Sequence, residues 1–162
     1  MTFQGTNSDF KTADSTTGLN RIPVLSVRSK TSFLGRDNHV VAVPLSINCV
    51  GINNDTNEDA RYRVEVWINS SLTGASFSSV SVLSAYERDD SATSFTGGIP
   101  IATFFESGSA RIELTNTASY LNNAVFPFAD GTQVTVTFVV TNMDVGTSAD
   151  VFLQAAWKEF RD

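Results

Sequence analysis

Cysteine occurs once in the 162 residues, at Cys49, and histidine once, at His39. A lone cysteine closes no internal bridge, so a secreted disulfide framework is excluded. Cys49 falls in phase with its apolar neighbours and is expected to be a small buried hydrophobe. No adjacent positive charge or helix N-terminus would activate its thiolate. One histidine leaves a serine or cysteine nucleophile a single candidate base, set beside Asp37 and Asn38, and no Gly-x-Ser-x-Gly is present. The paired carboxylates Glu58-Asp59 and Asp89-Asp90 are sequence neighbours that diverge on a strand, which does not suit glycosidase geometry; Asp89-Asp90 reads as a solvated loop. The expectation is a protein that is not an enzyme and uses no cofactor or metal.

Long apolar runs are missing too. None approaches the ~18 residues of a membrane span, and Met1-Thr2-Phe3-Gln4-Gly5 has neither the basic nor the apolar region of a signal peptide. A soluble chain with no membrane partner is expected, made and kept in a reducing cytoplasm or exported without a signal. Positive charge is scarce: 11 Lys and Arg stand against 17 Asp and Glu, for a formal net charge of -6. Nucleic-acid binders draw their affinity from basic faces, so nucleic acid is not an expected partner. The charge is uneven, because up to Val40 five bases outnumber three acids, a net of +2 that leaves -8 for the rest. Such a leader suits a segment lying on an acidic partner surface.

What the sequence has is a rhythm. Eight short apolar or alternating runs, each closed by Asn, Asp, Gly, Ser or Thr, extend from Ile22 to Trp157. With no helical stripe between them, they predict an all-β protein of two packed antiparallel sheets. The runs are Ile22–Arg28, His39–Val50, Arg61–Asn69, Phe77–Arg88, Ile99–Phe105, Ala110–Thr115, Thr132–Thr141 and Asp150–Trp157. Alternation places Val41, Val43, Leu45, Ile47 and Cys49 on one face of the second run, where Pro44 argues for an edge or a bulge. It turns Tyr62, Val64, Val66 and Ile68 inward in the third and leaves Trp67 outward beside Arg63 and Glu65. The fourth run is ambiguous in phase. Glu106-Ser107-Gly108-Ser109 reads as the loop of a hairpin between the fifth and sixth runs. The eighth run fits a strand or an amphipathic helix, and its β neighbours favour the strand. Eight strands with a few long crossings suit an eight-stranded jelly roll, with an immunoglobulin-like sandwich as the alternative. One sandwich domain is expected over 21–162, preceded by an extended arm over 1–20 whose polar composition cannot fold alone.

Candidate contact residues fall mostly outside the rhythm. Phe3 and Phe10 are apolar anchors in a polar arm, and Tyr120, Phe126 and Phe128 lie in the long connection Asn116–Gly131. With Trp67 they form the expected partner interface, since aromatics dominate interface energetics. The Asn53–Asp59 loop is rich in oxygen ligands of the kind calcium uses but lacks a spaced ligand pattern, and a solvated polar turn is the simpler reading.

A polar arm with two phenylalanines before a compact, acidic, Thr/Ser/Asn-rich sandwich resembles the small virion proteins of bacteriophages, of the head-decoration or cement type. That resemblance implies a structural protein of the virion, assembled in the host cytoplasm, whose partners are capsid subunits and its own copies, a trimer foremost. Two further readings remain open. A carbohydrate-binding module of a tail or adhesin would stack Trp67, Tyr86 or Tyr120 on a glycan. The principal coat protein of a small virus would call for a more basic arm.

Overall fold

The computed structural model describes residues 2–14, 19–113 and 133–160. Among these there is no helix, and the ordered elements are all strands. In chain order they are β1 (Thr2–Asp14), β2 (Ile22–Ser29), β3 (Ser32–Phe33), β4 (Arg36–Asp37), β5 (Val41–Asn53), β6 (Arg61–Ile68) and β7 (Ser71–Thr73). They continue with β8 (Ser78–Ser79), β9 (Tyr86–Asp89), β10 (Ser94–Thr96), β11 (Ile99–Ser107), β12 (Ser109–Glu113), β13 (Thr135–Asn142) and β14 (Ser148–Phe160). A four-stranded sheet has the order β1-β14-β5-β12, a six-stranded one the order β11-β6-β13-β2-β9-β8, and β7-β10 and β3-β4 make two-stranded ribbons. Every pairing is antiparallel.

The two large sheets share one apolar core in a sandwich-like arrangement. Ile47, Cys49, Val151, Leu153 and Trp157 from the smaller sheet meet Leu25, Val27, Tyr62, Val64, Phe138 and Val140 from the larger. Fully burying each such aliphatic or aromatic side chain contributes about 1.5–3 kcal/mol. Tyr86 of the larger sheet and Trp157 of the smaller bring their buried rings to 6.4 Å.

The eighth run is a strand of 13 residues, with Val151, Leu153, Ala155, Trp157 and Glu159 all buried on its inner face. Residues 2–14 of the expected arm are extended and lie in continuous register along this strand, Thr2 opposite Phe160 and Asp14 opposite Ser148.

Three expectations need correction. In β5 the alternation inverts: Ala42 is buried before the irregularity and Ile47 and Cys49 after it. The register with β14 jumps from Ser46 to Pro44, so Leu45 is the extra residue of a bulge. Phe77–Arg88 is not one strand; β8 and β9 are separated by a turn whose Val82 and Leu83 are exposed. Nor do β11 and β12 form a hairpin. β11 pairs with β6 and β12 with β5, so the chain crosses between sheets at Gly108, whose φ of 60° puts it in the left-handed region.

The molecule thus has two ends, roughly 25 Å apart along the eight residues of β2. One gathers Lys30, Asn38, Val40, Ala85 and Glu159, and the other Asn53, Asp59, Arg61, Gly108 and Asp144.

Candidate functional site

Period-two alternation on β6 sends Arg63, Glu65 and Trp67 to the outer face of the six-stranded sheet, as expected. There Arg21 binds them together. Its Nε donates to Glu65 Oε2 (3.1 Å), and its guanidinium lies 4.6 Å from the Trp67 ring centre and 5.0 Å from that of Phe95. Phe95, on β10, meets the indole edge-on at 5.5 Å. Arg63 closes on the same carboxylate, Nη2 to Oε2 at 3.3 Å. Trp67 is therefore outward but half-buried, with Arg21 and Phe95 against it. Arg63 Nε and Trp67 Nε1 are buried with no hydrogen-bond partner among the described residues.

Beside this cluster a recess of about 350 Å³ is lined by Arg28, Ser70, Leu72, Ala75, Phe77 and Thr135. Arg28 sits 3.8 Å over the Phe77 ring and pairs with Glu87 at 2.9 Å. The Arg28 guanidinium thus covers one face of the Phe77 ring, and the hydroxyls of Ser70 and Thr135 make the rest of the lining polar.

At the Glu159 end, a fully buried carboxylate organises the turn between β8 and β9. Glu159 accepts hydrogen bonds from Ser84 Oγ (2.6 Å), the Ala85 amide (2.9 Å) and Trp157 Nε1 (3.1 Å). From the other side Lys30 Nζ donates to Ser84 O (2.6 Å) and Ser81 O (3.3 Å). Asn38 Nδ2 ties Lys30 O to Ala85 O at 3.0 and 2.8 Å. The turn is thus held from both sides, by the Glu159 side chain on one and by Lys30 and Asn38 on the other.

Asp89 is likewise buried, where a solvated loop was expected. It accepts from Ser91 Oγ (2.5 Å) and from the amides of Ser76 (2.7 Å), Ser91 and Ala92 (both 3.2 Å). Burial alone would raise this carboxyl, but the hydrogen bonds from Ser91, Ser76 and Ala92 outweigh it and hold it below the usual carboxylate range.

The opposite end is acidic. Asn53 Oδ1 accepts from the amides of Asp55 (2.9 Å) and Thr56 (3.3 Å), the geometry of an Asx turn. No group of three or more His, Cys, Asp or Glu side chains is placed to hold a metal among the described residues. Asp144 chelates Arg61 at Nε (2.6 Å) and at its amide (2.9 Å); against the effect of burial, these contacts hold its carboxyl below the usual range. Here a second recess, of about 440 Å³, is lined by Arg61, Tyr62, Phe105, Glu106, Ser107 and Met143.

Of the expected interface residues, only Trp67 has a described side chain. Phe3 and Phe10 take register positions opposite Glu159 and Phe152, their side chains lying outside the described residues. Tyr120, Phe126 and Phe128 lie outside the described residues altogether. Tyr86 is no sugar platform, being fully buried with its hydroxyl donating to Val40 O (2.9 Å). Glu159 escaped notice as an organising residue, although its phase with Val151, Leu153, Ala155 and Trp157 was a usable signal. A scan against protein-family models and a search of curated proteins found no match for this chain.

Proposed function

We propose that this chain is a non-enzymatic structural protein of a virion shell, built as an eight-stranded jelly roll. The supporting observation is connectivity. Numbering the eight long strands β1, β2, β5, β6, β11, β12, β13 and β14 from one to eight gives a sheet of order 1-8-3-6 facing one of order 5-4-7-2. Consecutive strands alternate between the sheets except the fourth and fifth, which pair within one sheet, and this is the winding of a double Greek key, an architecture used by capsid and lectin domains. The role follows the decoration or minor capsid reading: the polar first strand and the sandwich surface meet neighbouring subunits, and copies associate, a trimer foremost.

The recess beside Arg28 and Phe77 favours a second reading, a glycan-binding module of a tail or adhesin. Light scattering on the purified chain, paired with a glycan array, tests the choice. A stable trimer without glycan binding supports the decoration role, whereas a monomer with specific, saturable glycan binding overturns it. Closed shells formed by the chain alone under electron microscopy would instead point to a principal coat protein.

A further inference from the structure

We propose that two copies of this chain associate head to tail, the Val82-Leu83 turn of one seating in the recess beside Phe105 of the next. This names the partner and contact for the shell reading, and rests on it only in requiring that copies meet.

Turn tips ordinarily carry Gly, Asn, Asp or Ser. This one carries two adjacent branched aliphatics, with Val82 87% and Leu83 59% exposed, and Leu34 in the nearby β3-β4 turn 77% exposed. Single exposed apolar residues need no explanation, but a cluster of them marks an interaction surface. The turn is also held in place, by Glu159 on one side and Lys30 on the other and by the Leu83 amide donating to Ser81 Oγ (3.1 Å). A side chain presented on a pre-ordered turn loses little entropy on docking.

The complementary surface lies at the opposite end. The recess of about 440 Å³ holds Phe105 and Met143. Phe105 is 67% exposed and Val145, two residues past Met143, is 73% exposed. Charge supports the same pairing. Lys30, Arg36 and Lys158 stand at the Glu159 end with Asp37 and the buried Glu159, whereas Asp55, Glu58, Asp59, Glu106 and Asp144 lie with Arg61 at the other. Turn and recess also sit toward opposite edges of the six-stranded sheet, near β9 and β11. A contact between unlike surfaces repeats, and closes into a ring when its rotation allows.

The test uses the full chain. Sedimentation velocity across a concentration series compares wild type with the double variant Val82→Asp/Leu83→Asp, near-UV circular dichroism confirming that the fold is kept. Association weakened by at least about tenfold is expected, since charges replace the central apolar contacts. In parallel, Leu83→Cys and Phe105→Cys proteins are treated with a mild oxidant each alone and as a mixture; the mixture should give a disulfide dimer that neither gives alone. Unimpaired association of the double variant, or no dimer specific to the mixture, overturns the contact. A particle or trimer that survives the double variant removes this contact and leaves the shell reading. A Leu83–Phe105 crosslink in a chain that joins no particle does the reverse.

Discussion

Ser84 Oγ donates a 2.6 Å hydrogen bond to Glu159, joining the turn before β9 of the six-stranded sheet to the inner face of β14 in the four-stranded one. The bond links two residues 75 apart in sequence, both fully buried. Glu159 is thus a polar tie across a largely apolar interface.

Removing the tie should be costly. Glu159→Ala leaves Ser84 Oγ, the Ala85 amide and Trp157 Nε1 without their acceptor, at about 1–3 kcal/mol for each donor that water cannot reach. Glu159→Gln keeps one carbonyl acceptor and should lose less. Urea midpoints for both variants check the order; an alanine variant as stable as wild type would refute the tie.

Gly51 is required by a ring. A Cβ on it would stand 2.5 Å from Tyr62 Cδ1 and 2.6 Å from Cε1. Tyr62 cannot retreat, because it is buried and its hydroxyl donates to Gly108 O at 3.0 Å. Gly51→Ala is expected to destabilise by about 1–3 kcal/mol, the usual range for overpacking. Much of that loss should be relieved in Gly51→Ala/Tyr62→Val relative to Tyr62→Val alone, read by thermal unfolding in a double-mutant cycle.

Asp89 should make stability depend on pH in the acid range. A carboxyl held low in the folded state adds stability that is fully present above its ordinary value of 3.8 and is lost as pH falls through the folded value. Asp89→Asn should cost about 1–3 kcal/mol at neutral pH and flatten the decline in denaturant midpoint below about pH 4. Midpoints for the two proteins that stay parallel down to pH 2 would exclude the effect.

Cys49 should be silent in the folded protein. Burial, aided by the nearby Glu106 carboxylate, pushes its thiol up to about 12, and the thiolate is the reactive form. At pH 8 a thiol reagent should label it only after unfolding, so labelling followed by mass measurement reports the open population. Rapid modification of the native chain would contradict this burial.

Strand periodicity was legible where apolar residues alternate along the core face of a strand, even on β13, whose other face is buried as well. Tyr62, Val64 and Val66 on β6, and Val136, Phe138 and Val140 on β13, are buried as their spacing indicates. The same spacing was misleading at Leu45, where the bulge inverts the phase, and at Val82-Leu83, where apolar residues occupy a turn tip. Periodicity also cannot tell which sheet a strand joins, so Gly108 read as a hairpin loop although it turns a corner between sheets. Glu159 gives no local sign of its role because the Ser84 hydroxyl and Ala85 amide that meet it lie 75 and 74 residues away, whereas Asp89 is held mostly by Ser91 and Ala92, through a turn geometry that apolar alternation does not report.

The pairing of β1 with β14 also bears on synthesis. Among the described strands β1 is made before all others and its ladder partner β14 after them all, and β14 is the strand that separates β1 from β5. During translation residues 2–14 must therefore wait, unpaired in the four-stranded sheet, until the chain through Phe160 has left the ribosome. Contacts of such sequence separation form late and slowly, so the nascent chain offers an open strand edge to other nascent copies until β14 is made.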